Sequence, residues 1–478
     1  MARVPLPPIP SRCVDVELRT RSRRAGPTAT IQPGGTTGEV WRFPQQQDES
    51  RWVVCAGDAD QEQLRAAGAA LVQAVVTDLR AEVTAGSRAT RTVQLHLPDA
   101  TSSATITALA TGIRLGSYQY RVSGHDSKPG LRTIGLVPGA TADGADVEAW
   151  EQALQRARAL ADATAIARDL ANTPSNVKNP AWLANRTARL FADIRNLHVT
   201  VRDRAWLVQQ RFGGLLAVGG GSASAPRLIE ARYRPRGAEQ HLLLVGKGIT
   251  FDTGGLSIKP ADGMHLMRTD MAGGAAVLAA IRAVAVLQLP VRVTALVPAA
   301  ENHVSGSAYR PGDVVRHYGG RTSEVSNTDA EGRMVLADAL SYGTRRFEPD
   351  ATVDVATLTG AMKVALGTRT GGVFATTDEL ARRVSDAGVV AGEPWWRMPL
   401  LAAHADAVRS RIADVRQAPE GPGAVVAALF LREFTGNTPW AHLDIAGPAR
   451  AEDAYADVVP GATGFATRTL VELVASYV

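Results

Sequence analysis

The sequence predicts an α/β protein of two domains. A smaller N-terminal α/β domain is joined by a long helix to a larger C-terminal α/β domain with a largely parallel mixed sheet. Three observations predict it. At 478 residues the chain exceeds what one simple core organises. Short apolar runs rich in Val, Ile and Leu alternate with alanine-rich helical patterns, the order that βαβ units produce. An uninterrupted helical stretch over 145–174 separates two such series, so the division is placed near 160, giving domains 1–160 and 161–478.

Residues 1–50 are rich in Pro, Gly and Gln between short apolar pieces, and predict an irregular edge. From "RWVVCAG" (51–57) onward the β-rich runs begin. An Ala-rich helical pattern covers 59–84, "RTVQLHLP" (91–98) alternates as a strand does, 104–120 reads as a helix and 131–139 as a strand ended by Pro-Gly. The connector helix over 145–174 stops at Asn-Thr-Pro. Beyond it, strands are predicted at 197–202, 213–219, 227–234, 241–246, 291–298, 351–358 and 440–445. Helical patterns between several of them predict parallel, buried pairing.

Composition narrows the function classes. Hydrophobic content of 45% and charged content of 21% are those of an ordinary globular protein. No run of about 18 apolar residues occurs, so no transmembrane helix is expected. The first 24 residues lack the apolar segment of a secretory signal, and Cys13 and Cys55 are the only cysteines, too few for a disulfide framework. A reducing, cytoplasmic setting is expected. The formal charge is +5 and the pI about 9.4. Arg3, Arg12, Arg19, Arg21, Arg23 and Arg24 crowd the N-terminus against Asp15 and Glu17. No aromatic residues interleave with them, which favours a solvated edge over nucleic-acid binding. Nucleotide motifs fail as well. "AVGGGSAS" (217–224) lacks the dinucleotide spacing and reads as a turn after a strand. In "VGKGIT" (245–250) a P-loop would need Gly at 241 and Ser or Thr at 248, where His241 and Gly248 stand.

The chemistry gathers in four pieces. The strand at 241–245 delivers Lys247 and Asp252, and Lys259 follows before a proline. Asp270 precedes a helix of small residues that lets the backbone approach closely. The strand at 291–298 leads through "RPGD" to "NTDAEGR" (327–333), with Asp329, Glu331 and Arg333 at alternate positions. In an open α/β sheet, reactive groups collect outside the carboxyl ends of the strands. Asp252, Asp270, Asp329 and Glu331 would repel one another unless neutralised. Two divalent cations balance four carboxylates and can lower the pKa of a water toward neutrality. Oxygen ligation with one amine, and no Cys or His cluster, suits manganese or zinc first, then magnesium or cobalt. Each residue alone has a plainer explanation: Asp252 a turn former, Asp270 a helix cap, Arg333 a helix-face ion pair, either lysine a surface group.

The blocks "GKGITFDTGGLSIKP", "MRTDMAGGAA", "AENHVSGSAYRPGD" and "NTDAEGRMVLADAL", in this order, resemble the leucyl aminopeptidase (cytosol aminopeptidase) family of dinuclear metallopeptidases. "DLANTPSN", "DVATLTGAM", "WAHLDIAGPA" and "TGFATRTLVELV" extend the resemblance from about residue 165 to the C-terminus. It implies that the larger domain is catalytic and that the chain releases N-terminal amino acids from peptides, with a leucine-like preference, by attack of a hydroxide held by two metal ions. It implies Lys247, Asp252, Asp270, Asp329 and Glu331 as metal ligands, with Asp252 and Glu331 bridging and Lys247 a neutral amine favoured by neighbouring cations. Lys259 would polarise the scissile carbonyl, and Arg333 would hold a bicarbonate that relays protons. Asp270 would also bind the substrate's α-amino group, and Met267, Leu358 and Gly360 would belong to the side-chain pocket. A homohexamer acting on peptide substrates is implied. His303-Val304 in place of Met-Pro, and the altered stretch 419–430, bear on substrate preference rather than on the ligands.

Two other classes compete. A catalytically silent scaffold would have lost a ligand, and all are present. A DNA-binding role, known for some members of that family, has only the basic N-terminus in its favour.

Overall fold

The computed structural model describes residues 9–11, 13–19, 27–43, 51–122 and 130–478. It divides into two compact units, Met1–Ala165 with Ala451–Pro460, and Ile166–Arg450 with Gly461–Val478. Among the N-terminal arginines, only Arg19 lies within the described residues, and its Nε donates to Glu17 Oε1 at 2.9 Å. The others, and the DNA-binding role that rests on them, lie outside.

The first unit contains β1 (Asp15–Leu18), β2 (Thr28–Gln32), β3 (Val40–Arg42), β4 (Trp52–Cys55), α1 (Gln61–Thr84), β5 (Thr92–His96), α2 (Ser103–Gly116) and β6 (Thr133–Val137). The helix α3 (Gly144–Asn172) crosses the division. The six strands form one sheet ordered β1-β6-β5-β2-β4-β3, parallel except at the β3–β4 edge. Here the expectation for residues 1–50 is corrected. The described part of that stretch supplies three strands, each held by pairing with later strands rather than by its own pattern. Asp60 and Ser102 cap α1 and α2 by accepting from Gln63 N and Thr105 N. Both cysteines are free thiols.

The second unit adds α4 (Pro180–Phe191), β7 (Leu197–Arg202), α5 (Arg204–Gln210), α6 (Gly213–Gly219), β8 (Arg227–Tyr233), β9 (His241–Gly246), β10 (Gly248–Asp252), α7 (Ala272–Val286) and β11 (Arg292–Asn302). It continues with β12 (Val314–Arg316), β13 (Thr322–Glu324), α8 (Glu331–Phe347), β14 (Ala351–Ala356), α9 (Gly360–Leu366), β15 (Gly371–Ala375), α10 (Asp378–Ala391), β16 (Trp395–Arg397), β17 (Val415–Arg416), α11 (Gly423–Arg432), β18 (Trp440–Asp444) and α12 (Thr467–Ala475). The main sheet runs β16-β15-β18-β14-β9-β11-β8-β7, with β10 also paired to β11. Its centre, β18-β14-β9-β11-β10, is parallel, and β7, β8 and the β15–β18 pair are antiparallel. β9 and β14 are buried at every residue, as strands covered on both faces must be.

One predicted strand is a helix. Residues 213–219 form α6, because seven apolar and small residues carry no period that separates strand from helix. Tertiary packing decides the case. Leu215 N donates to the buried Asp338 Oδ2 at 2.8 Å, and a Cβ on Gly214 would meet Met334 O at 2.3 Å. The glycine run at 219–221 therefore follows a helix, not a strand. The apolar stretch Met264–Val286 has the length and character of a membrane span, yet 89% of its most apolar 18-residue window is buried inside the protein.

Candidate metal centre

The parallel strands end at one edge, and the candidate residues emerge there. Lys247 follows β9, Asp252 closes β10, Asn302 closes β11, Thr357 follows β14 and Asp444 closes β18. Asp270 stands between a 3₁₀ turn, Met264–Thr269, and α7. That helix presses on the sheet because its start is glycine: a Cβ on Gly273 would lie 2.1 Å from Val355 O. Asp270 does not cap α7, whose N-cap is Met271. Its Oδ1 instead accepts from Thr357 Oγ1 at 2.7 Å and lies 2.9 Å from Lys247 Nζ. Glu331 is the first residue of α8, where the helix dipole favours an anion.

Three carboxylates, Asp252, Asp329 and Glu331, offer oxygens all within 4.8 Å of one another. Two ammonium groups reach them. Lys247 Nζ lies 2.8 Å from Glu331 Oε1 and donates to Thr357 O at 3.0 Å. Lys259 Nζ lies 2.8 Å from Asp252 Oδ2 and 2.5 Å from Asp329 Oδ1. Asp252 Oδ1 accepts from Gly254 N and Asn302 Nδ2, both at 2.8 Å. Asp252, Glu331 and Lys247 are almost wholly buried, while Asp329 is partly open. Burial, then the Glu331 charge, pushes the Asp252 carboxyl up to about 7. Burial raises Asp270 and Glu331 as well. Like charges out of water cannot all ionise without cations.

The close neighbours of Lys247 are the carboxylates of Asp270 and Glu331. Burial is the largest single influence and lowers its pKa, but Asp270, Glu331 and Asp252 together outweigh it and hold the ammonium form. An amine ligand at this position therefore requires a metal to displace the proton. The donor set suits such an ion: it is oxygen-rich and anionic, and Asp270 Oδ2 is buried with no hydrogen-bond partner.

Arg333 is buried on α8, where its Nη1 donates to Gln417 O at 2.8 Å and its Nε–H has no acceptor. Burial draws its pKa down to about 10, against the pull of Glu331 and Asp444. Met267 sits half-buried in the 3₁₀ turn, and its carbonyl accepts from Asp270 N. Leu358 is half-buried against the core, with its N–H on Asp444 Oδ1 at 3.3 Å, and Gly360 is exposed at the start of α9.

Sequence reasoning missed the supports. Gln417, wholly buried, accepts from Ser326 N and Asn327 N, both at 3.1 Å, and donates to Ala330 O at 2.9 Å. One side chain thus clamps the turn that carries Asp329 and Glu331. Asn302 Nδ2 and Tyr309 Oη also donate to Thr328 O, at 3.0 and 2.7 Å. No local signal marks Gln417, because its partners lie far away in the chain.

An open α/β sheet that gathers carboxylates and lysines in this way offers a site for divalent cations. Residues 165–471 match the model of the cytosol aminopeptidase family, catalytic domain. The probable cytosol aminopeptidase of Syntrophotalea carbinolica is 45% identical over 374 residues, 77% of this chain and 74% of that protein. That of Streptomyces coelicolor is 42% identical over 474 residues, 94% of this chain and 89% of that protein. Among solved structures, the bottromycin maturation enzyme BotP in complex with Mn is similar with a TM-score of 0.83 and 38% identity, covering 94% of this chain and 98% of that one. The chain belongs to the cytosol aminopeptidase family, and is a metallo-aminopeptidase.

Proposed function

We propose that this aminopeptidase works through two divalent cations, manganese or zinc, which Lys247, Asp252, Asp270, Asp329 and Glu331 would hold. The observation that carries this is the carboxylate triad within 4.8 Å, beside the orphaned Asp270 Oδ2. When bound, the ions supply Lewis acidity and an ionised water for attack on the scissile carbonyl.

The chain's own residues do the rest. Asp270 accepts a hydrogen bond from the substrate's free α-amino group, which confines cleavage to the first residue. Lys259 donates to the carbonyl oxygen as negative charge grows on it. Arg333 holds a small anion, bicarbonate, through its unpaired Nε–H, and that anion carries the proton toward the leaving amine. Met267, Leu358 and the open backbone at Gly360 form an apolar pocket that favours leucine-like side chains. We further propose a cytoplasmic homohexamer acting on peptides. The test is hydrolysis of a panel of amino-acid p-nitroanilides by metal-stripped protein given zinc, manganese, cobalt or magnesium in turn. Two equivalents of manganese or zinc should restore activity, greatest on the leucine substrate. Full activity with one equivalent would overturn the two-ion assignment.

A further inference from the structure

The opposite, amino-terminal edge of the same sheet carries a second concentration of charge. His241 opens β9, Arg292 opens β11, and Arg232 and Arg234 stand at the far end of the antiparallel β8. The last turn of α8 adds Arg346 beside Phe347. These six side chains line one cavity of about 140 Å³. No carboxylate lines it.

The arginines are unequally engaged. Arg232 Nε lies 3.2 Å from Glu230 Oε1, and Arg292 Nη2 donates to Glu239 O at 3.1 Å. Arg234 and Arg346 form no salt bridge among the described residues. The nearby Asp350 carboxylate lies outside the lining and accepts from His241 N at 2.7 Å. His241 also lines the cavity, its ring Nε2 2.9 Å from Thr294 Oγ1. Burial, then Arg292 and to a smaller extent Arg234, lowers its pKa to about 4 against the opposing charge of Asp350. A helix C-terminus accounts for a basic residue at Arg346. It does not account for Arg232 on β8, Arg234 just beyond it, and Arg292 on β11.

We propose that this cavity is an anion site for a phosphate-class dianion, either free phosphate or the terminal phosphoryl group of a small monoester. Guanidinium forks match tetrahedral oxyanions two bonds at a time, and like charges converging on one cavity need a counter-anion. The volume equals roughly four to five waters, room for one such group with part of its hydration. The site is separate from the metal centre. It shares two elements with it, since β9 ends just before Lys247 and α8 begins at Glu331.

The experiment is titration calorimetry of the full chain with sodium phosphate, and separately with glycerol 3-phosphate, at fixed ionic strength set by chloride. Wild type and Arg234→Gln/Arg346→Gln are compared. Saturable binding in the wild type, weakened at least tenfold in the double variant, is expected. Peptidase activity without phosphate should be unchanged. Tighter binding of the monoester assigns the ester as ligand, and tighter binding of phosphate assigns the free ion. Arg346→Lys, which keeps the charge and loses the fork, should weaken binding less, and serves if the double variant misfolds. Equal affinity in wild type and variants, or no saturable binding in the wild type, overturns the site.

Discussion

Lys247 and Glu331 meet at the carboxyl edge of the sheet, Nζ 2.8 Å from Oε1, joining the end of β9 to the first residue of α8. Asp270 meets the same ammonium at 2.9 Å. The lysine therefore bridges two of the acidic residues, and under the proposed ligand set its proton is what a metal would displace. Metal affinity should accordingly rise with pH.

Asp329→Ala and Glu331→Ala should each abolish measurable turnover and leave fewer than two metal ions per chain by elemental analysis. Both carboxylates belong to the triad within 4.8 Å. A variant that keeps two ions and a near-normal rate would remove the basis for the two-ion assignment.

Gly332→Ala separates helix propensity from site geometry. In an exposed helix the change would stabilise by about 1 kcal/mol. Here the new Cβ would lie 2.6 Å from Lys247 Cε. Lys247 cannot swing aside without losing Asp270, Glu331 and the Thr357 carbonyl. The expected outcome is a folded protein with weakened metal binding, read by calorimetric titration of the stripped enzyme. Unchanged metal affinity would show that Lys247 has another place to go.

Gln417→Ala should lower kcat by tenfold or more and weaken metal binding while the fold survives. It leaves Ser326 N, Asn327 N and Ala330 O without their buried partner, at about 1–3 kcal/mol per unsatisfied group. The Arg333 contact is to the Gln417 backbone and persists. Loss confined to thermal stability, with kcat and metal affinity intact, would reduce Gln417 to a structural role.

What the sequence displays and what it hides follow from range. Strands such as β9 and β14, and the helix α7, carry a period or a long apolar run, so local pattern suffices. The five acidic and lysine positions at the candidate centre stand in short motifs, and they are readable for the same reason. The helix α6 has seven residues and no period, and β1, β2 and β3 have four, five and three. Their conformation comes from partners remote in the chain. Gln417 is hidden for that reason too, and so is the protonation of Lys247, which depends on which charges surround it in space.

His241 gives the fold a pH dependence on its acid side. Its pKa is about 4 in the folded protein against 6.5 ordinarily. Between those values the unfolded chain binds more protons, so stability rises with pH there. The contribution is complete above about pH 6.5 and is lost as pH falls through 4. Urea unfolding at pH 4.5 and pH 7 should show a smaller difference for His241→Asn than for wild type. Equal differences would mean that His241 is not held neutral by the fold.

Lys259 and Arg333 should behave differently from the proposed ligands and from each other. Lys259 Nζ contacts the buried Asp252 and the partly open Asp329, and is itself partly exposed. It can therefore turn toward a substrate carbonyl when cations take over the neutralising of those carboxylates. Its help is needed only as charge grows on the oxygen, so Lys259→Ala should lower kcat far more than it raises KM. Loss of one such donor typically costs about 10²–10³ in rate, or roughly 2.7–4 kcal/mol. Arg333 is buried and anchored to the Gln417 carbonyl, with its Nε–H left without an acceptor. Arg333→Ala should cost less, because water can still carry the proton, and added bicarbonate should stimulate the wild type more than the variant. Elemental analysis should find two ions in both. If Lys259→Ala sheds a metal, Lys259 is a ligand and the division between the two lysines fails. If it raises KM with kcat unchanged, Lys259 binds the ground state and the oxyanion must be met by another donor.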